Sequence, residues 1–179
     1  DYISGVSPES ETVNYGSNAG GSTATVQSDS PEWLYSFDGW YDEGGNKVSS
    51  SLTYGPEDVT GDRQIEARGT RTANTAEISV SMDSSSSSRG SVSGGGTYTI
   101  GSTATVTCSF NSGDVFDGWY EGGTRVSTDA SYSFTVTGAR SLVAKVLYLD
   151  VSPSSLNFGA GGGTQSFTIS TNIDGWSIS

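Results

Sequence analysis

Phe37-Asp-Gly-Trp-Tyr41 returns 79 residues later as Phe116-Asp-Gly-Trp-Tyr120, and the two copies do not stand alone. Upstream, Gly21-Ser-Thr-Ala-Thr-Val26 recurs as Gly101-Ser-Thr-Ala-Thr-Val106, at an offset of 80. Downstream, Gly44-Gly45 and Val48 recur as Gly122-Gly123 and Val126 at 78. Thr60-Gly61-Asp62-Arg63 returns as Thr137-Gly138-Ala139-Arg140, and Ala67 as Ala144, at 77. An offset that shrinks one step at a time between matched blocks marks two copies of one fold, with length changes confined to loops. A second match joins the ends. Val6-Ser7-Pro8 resembles Val151-Ser152-Pro153, and Tyr15-Gly16, Val26 and Trp33 correspond to Phe158-Gly159, Ile169 and Trp176. The last segment therefore reads as the opening of a further unit, in an array expected to continue past residue 179.

Each copy reads as strands, because apolar residues alternate with polar ones at a period of two. Ala76, Ile78, Val80 and Met82 do so, then Tyr98 and Ile100, then Ala104, Val106 and Cys108. Tyr132, Phe134 and Val136 follow, and Leu142, Ala144 and Val146 close the copy. Between them lie turn formers such as Asp42-Glu-Gly-Gly-Asn46, Gly94-Gly-Gly96 and Glu121-Gly-Gly-Thr124. No stretch carries a 3.6-residue apolar stripe. The run Ser84 to Ser88 reads as a mobile hairpin tip between two strands. The fold class is all-β: tandem small modules, β-grasp-like or Ig-like sandwiches, joined by short linkers. The divisions fall at residues 1–72, 73–146 and 147–179, the last module being incomplete.

Composition supports several thin cores over one thick one. Only 32% of the 179 residues are hydrophobic, and 25 are Gly. The net charge is −12, and residues 1–72 hold 12 of the 20 acidic residues against 4 of the 8 basic ones. A chain so acidic repels polyanions, which argues against nucleic acid as a partner. No apolar run approaches the roughly 20 residues a spanning helix needs, so membrane insertion is not expected. The chain opens without Met and without a signal-type segment, and reads as a mature protein or fragment whose export signal or anchor lies outside it.

Chemistry that would make this an enzyme is hard to assemble. There is no His, the commonest general base and metal ligand. Cys108, the single cysteine, sits in an alternating strand pattern as a small buried residue and has no base partner. Asp38 and Asp117 are repeat equivalents, so they read as turn or strand-edge residues rather than as a catalytic carboxylate pair. Asp42-Glu43 with Asn46 lacks the ligand alternation of a calcium loop and reads as a solvated turn. No catalytic residue, no metal and no cofactor is assigned.

Aromatic residues carry the remaining candidates. Strict alternation through Phe37–Tyr41 places Phe37, Gly39 and Tyr41 on one face and Asp38 with Trp40 on the other. Phe37, Tyr41, Phe116 and Tyr120 are assigned to the core. Trp40 and Trp119 are read chiefly as core, because an aromatic buries ~150–250 Å² and a thin module needs that area; the rival reading makes them platforms for a sugar ring. Trp33 and Tyr35, in the turn-rich Ser30-Pro-Glu-Trp-Leu-Tyr35, have no counterpart in the second copy and are the best exposed-aromatic candidates. Trp176 completes the set of possible glycan-platform residues.

These residues also carry a family resemblance. Arg89-Gly-Ser-Val-Ser-Gly-Gly-Gly96, Tyr98-x-x-Gly-Ser102, Phe116–Tyr120, Val126-Ser127, Tyr132-x-Phe-x-Val-Thr-Gly138 and Leu142-Val-Ala-Lys145 follow in order. In this, residues 73–146 resemble the divergent internalin-type B-repeat, a bacterial surface module. Residues 1–72 share the second half of that pattern but lack its opening Gly-x-Val-x-Gly, beginning instead in a BACON-like way. Leu149-x-Val-Ser-Pro-Ser-Ser-Leu-Asn-Phe-Gly159, Phe167-Thr-Ile-Ser-Thr-Asn172 and Trp176-Ser-Ile178 look like the start of a BACON domain, an Ig-like module of gut bacteria and their phages. Neither family is enzymatic, and the resemblance implies contact with carbohydrate or mucin, or simple spacing, outside the cell. The expected function is a non-enzymatic adhesion and spacer array at a cell surface or in the extracellular space, with weak glycan binding. Its partners would be glycans or a host surface, further modules of the same polypeptide, or other copies in a homo-oligomer. The alternative is a structural protein of a gut-phage virion, a capsid decoration or fibre component on the virion surface, contacting other virion proteins.

Overall fold

The computed structural model describes residues 2–7, 10, 16–58, 60–175 and 177. Its described residues form eighteen strands and one short 3-10 turn, with no α-helix, so the chain is all-β. It divides into two compact units, Asp1–Asn74 and Thr75–Ser179.

The second unit shows the module most fully. Its strands are β9 (Thr75–Met82), β10 (Gly90–Ser93), β11 (Gly96–Thr99), β12 (Thr103–Phe110), β13 (Val115–Glu121), β14 (Thr124–Ser127), β15 (Ser131–Thr135) and β16 (Arg140–Leu147). Two sheets face each other, one ordered β10-β12-β15 and the other β11-β9-β16-β13-β14. The period-two pattern sets the contents of the space between them: Ala104, Val106 and Cys108 from β12 meet Ile78, Trp119, Leu142, Ala144 and Val146, all buried. No helix packs on these sheets among the described residues, so the arrangement is a sandwich and not a grasp. Its first and last strands, β9 and β16, run side by side in parallel, pairing Ile78 with Arg140, Val80 with Leu142 and Met82 with Ala144.

The serine run departs from its reading as a hairpin tip. Ser84–Ser86 form a 3-10 turn, capped where the Asp83 carboxylate accepts from Ser85 N–H at 2.9 Å. The strands on either side belong to different sheets, so the run carries the chain across the sandwich. Ser86 is 1% exposed, and its hydroxyl oxygen accepts the Val146 N–H. The physical reason is the strand order: β9 pairs with β16 instead of folding back on β10, and past the end of that ladder at Ala144 the Ser86 hydroxyl takes the Val146 amide.

Beyond β16 the unit continues into β17 (Leu149–Ser152) and β18 (Thr168–Thr171), an antiparallel ribbon. Arg89 donates to Asp150 and lies over the Tyr148 ring at 3.7 Å, while Asn172 donates to Val146 O and Ser85 Oγ. Leu149, Val151, Phe158 and Phe167 are all exposed. The ribbon is thus tied to the sandwich by polar contacts.

The first unit repeats the plan with fewer parts. Its strands are β1 (Ile3–Ser7), β2 (Asn18–Ala19), β3 (Ser22–Val26), β4 (Trp33–Asp42), β5 (Lys47–Ser49), β6 (Thr53–Tyr54), β7 (Glu57–Asp58) and β8 (Ile65–Ala73). They form sheets ordered β1-β3-β6 and β5-β4-β8, with β2 and β7 as a small pair. Its fully buried hydrophobic residues are Ala24, Trp40 and Ala67, packed by Ile3, Val6, Phe37, Tyr54 and Ile65. This is a much thinner core than that of the second unit.

Candidate functional site

The repeated pentapeptide is a bulged strand centre, and the bulge overturns the alternation expected there. In β4 the pairing with β8 shifts between Phe37 and Gly39; in β13 the pairing with β16 shifts between Phe116 and Gly118. The extra residue, Asp38 or Asp117, rotates everything after it by one face. Phe37 therefore lies with Trp40, their rings edge-to-face at 6.1 Å, and Phe116 with Trp119 likewise at 6.1 Å. Tyr41 and Tyr120, assigned to the core, instead turn outward beside the aspartates and are only half-buried.

On that outer face each copy builds the same clamp. Tyr41 donates its hydroxyl to the Asp38 carboxylate, and Tyr120 does so to Asp117 at 2.7 Å. Lys47 donates to both the carbonyl and the carboxylate of Asp38, each at 2.8 Å, and Arg125 repeats this on Asp117 at 3.3 Å. The Lys47 and Tyr41 hydrogen bonds hold the Asp38 carboxyl below the usual carboxylate range, and the bond to Asp117 pushes the Tyr120 hydroxyl up. Each cationic side chain must cross the strand to arrive there, and the residue it crosses is Gly39 or Gly118. The chemistry is that of a fastening: every charge in the clamp is already partnered.

Trp40 and Trp119 are 2% and 0% exposed, so their rings are enclosed and offer no face to a sugar. Trp40 donates its indole N–H to Ser51 O at 2.9 Å. Trp33 and Tyr35 lie elsewhere. They precede the bulge on β4, where alternation is intact, and share a face with Arg71, which stands opposite Tyr35 on β8. Arg71 lies over the Trp33 ring at 4.1 Å and over the Tyr2 ring at 5.1 Å, and Tyr2 meets Tyr35 at 5.7 Å. All three aromatic rings are partly exposed, and among the described residues no carboxylate pairs with Arg71. The result is a shallow ladder of aromatic faces with a cation in it. Trp176 lies outside the described residues.

Sequence reasoning missed Tyr2 and Arg71. A signal was present: Arg71 sits two residues before Ala73 in the strand that pairs with Trp33–Tyr35, but the pairing register is set by the bulge at Asp38.

The acidic turn is self-satisfied. Asp42 accepts from the Asn46 backbone N–H at 2.8 Å and from its side-chain amide, which holds its carboxyl low, while Glu43 accepts the Gln64 N–H. Among the described residues no three carboxylate or thiol side chains converge as a metal cage would require. Cys108 is buried, 3.9 Å from the Met82 sulfur, and burial pushes its thiol pKa up, which disfavours the reactive thiolate.

Comparison with known proteins bears on part of the chain. Residues 80–146 match the family model of the divergent InlB B-repeat domain, a stretch that runs from the end of β9 through β15 and nearly all of β16. No curated protein and no solved structure matches the chain. The match points to a module of the surface and adhesion type, in a family whose members are typically non-catalytic and extracellular. No helix among the described residues is long and apolar enough to cross a membrane.

Proposed function

We propose that the chain is a non-enzymatic spacer and adhesion array displayed outside the cell, and that its first unit makes weak contact with glycans. The observation that supports the contact is the ladder of Tyr2, Arg71, Trp33 and Tyr35. Flat aromatic faces complement the apolar face of a sugar ring, and a guanidinium between them supplies donors for hydroxyl or carboxylate oxygens. A shallow face of this size binds weakly alone and gains by multiplicity, which tandem display provides. The clamped Phe-Asp-Gly-Trp-Tyr centres, with every charge partnered, serve as fasteners for the sandwiches.

The experiment is binding of the chain, multimerised on beads, to immobilised mucin and to a glycan array. Binding is expected, and Trp33→Ala is expected to weaken it at least tenfold while leaving Trp40 fluorescence and the unfolding midpoint in place. Absence of any binding by the multimer removes adhesion to glycans and leaves the spacer role.

A further inference from the structure

Each unit sets an arginine on an aromatic ring at the same corner of its sandwich, with the two partners exchanged. In the second unit Arg89, just before β10, lies over the ring of Tyr148, just after β16, at 3.7 Å. In the first unit the ring is Tyr2, just before β1, and the cation is Arg71, near the end of β8, at 5.1 Å. Tyr2 and Arg89 correspond because their carbonyls close the two ladders alike, accepting Gln27 N–H at 3.0 Å and Asn111 N–H at 2.9 Å. Arg71 and Tyr148 correspond by the offset of 77 that equates Ala67 with Ala144, the partners of Trp40 and Trp119.

The corners differ in what neutralises the cation. Arg89 has two carboxylates, Asp114 at 3.9 Å and Asp150 in direct contact. Their first-unit counterparts, at offsets of 79 and 77, are Tyr35 and Ala73, and neither carries charge. Among the described residues Arg71 forms no ion pair and its guanidinium donates no hydrogen bond, whereas Arg63, Arg68, Arg89, Arg125 and Arg140 are all paired with carboxylates. Acidic residues outnumber basic ones 20 to 8, so position and not scarcity leaves this one arginine without a partner. Its contacts with the Trp33 and Tyr2 rings hold the cation but use none of its N–H donors.

From this exchange we infer that the ladder of Tyr2, Arg71, Trp33 and Tyr35 selects sugars bearing a carboxylate on the ring, the uronic and sialic acid class; the assignment rests on the glycan reading given above. The ligand carboxylate takes the part that Asp150 plays for Arg89, accepting from the planar fork of the guanidinium, while the sugar ring lies on a neighbouring aromatic face. The net charge of −12 narrows the class further. A polyanion is repelled by the surface as a whole, so the ligand carries one carboxylate on an otherwise neutral glycan.

The test offers the multimerised 179-residue chain glycan pairs that differ by one carboxylate. One pair is a monosialylated oligosaccharide and its asialo form; the other is a uronate-ended oligosaccharide and its carboxyl-reduced form. The acidic member of each pair is expected to bind about tenfold more tightly. Ala73→Asp returns to Arg71 an internal carboxylate two residues away on the same strand, the spacing at which Glu66 pairs with Arg68 at 2.7 Å. It should shrink the preference to within about twofold while neutral-glycan binding and the unfolding midpoint stay in place. Arg71→Gln should abolish the preference as well. Equal binding of both members would overturn the inference and leave the glycan reading standing, whereas binding of neither would remove both. A preference that survives Ala73→Asp or Arg71→Gln, or a densely sulfated glycan that binds as well as the acidic members, would overturn the inference alone.

Discussion

Replacing the motif glycines with alanine measures what the bulged centre requires. A Cβ at Gly118 would stand 2.6 Å from the Ser127 carbonyl oxygen and 2.7 Å from Arg125 Cδ. At Gly39 it would stand 2.7 Å from the Ser49 carbonyl oxygen, with Lys47 carbons at 3.0 Å. The side chains can bend aside, but the carbonyls belong to neighbouring strands and retreat only by weakening the β4–β5 or β13–β14 pairing. Overpacking of this kind costs ~1–3 kcal/mol. Gly118 has a further cost, because its φ of 153° lies where only glycine is at ease, and strain of that sort adds ~1–3 kcal/mol. Gly39→Ala is thus expected to destabilise the first unit by about 1–3 kcal/mol and Gly118→Ala the second by about 2–5 kcal/mol. For a unit of this size the latter corresponds to a fall in Tm of roughly 10–20 °C. Urea unfolding gives the totals, and hydrogen exchange of β3–β4 against β12–β13 assigns them to units. A loss below about 0.5 kcal/mol for Gly118→Ala, or a larger loss at Gly39, would refute the account of glycine as the residue that lets a cation cross the strand.

Other expectations follow from the same geometry. Ser86→Ala leaves the buried Val146 N–H without its acceptor and should cost ~1–3 kcal/mol, whereas the exposed Ser88→Ala should stay within about 0.5 kcal/mol; paired urea titrations decide. Glu121 takes a fork of bonds from Arg140, which holds its carboxyl below the ordinary 4.5. Its charged form favours the folded state, so that contribution is present above pH 4.5 and is lost as pH falls through the lower folded value. Glu121→Gln should flatten the acid limb of the second unit's Tm–pH curve, and an unchanged limb would count against the pair. Cys108 should resist a disulfide exchange reagent at pH 8 until the second unit unfolds, so its labelling in urea should track the β12 exchange rate; prompt labelling in buffer would contradict its burial.

Fold class was legible because each buried position recurs at a period of two and turn residues punctuate the intervals. Ala104, Val106 and Cys108 lie inside as the pattern implies. The face of Tyr41 was not legible. A bulge inserts one residue without changing composition, and nothing in Phe-Asp-Gly-Trp-Tyr announces it until the partner strand is in register. Both tryptophans buried in the repeats were readable as core from the thinness of the modules. The Tyr2–Arg71 ladder was half readable: the exposed aromatics stood out, but Tyr2 and Arg71 join them only through cross-strand contacts tens of residues away in sequence. The serine run misled because low complexity looks the same in a hairpin tip and in a crossing turn; only the parallel pairing of β9 with β16 tells them apart.

That parallel pairing governs how the second unit answers tension. Thr75 begins β9 at one end of the ladder, and Leu147 finishes β16 at the other. Pulling the chain at these two residues drags adjacent strands past each other, so the backbone bonds between them share the load and must give way together, like a lap joint rather than a zip. Rupture of that kind is set by the unfolding rate rather than by equilibrium stability. A module tethered at Thr75 and Leu147 is therefore built to stay closed under drag, the property a stalk in flowing fluid would need.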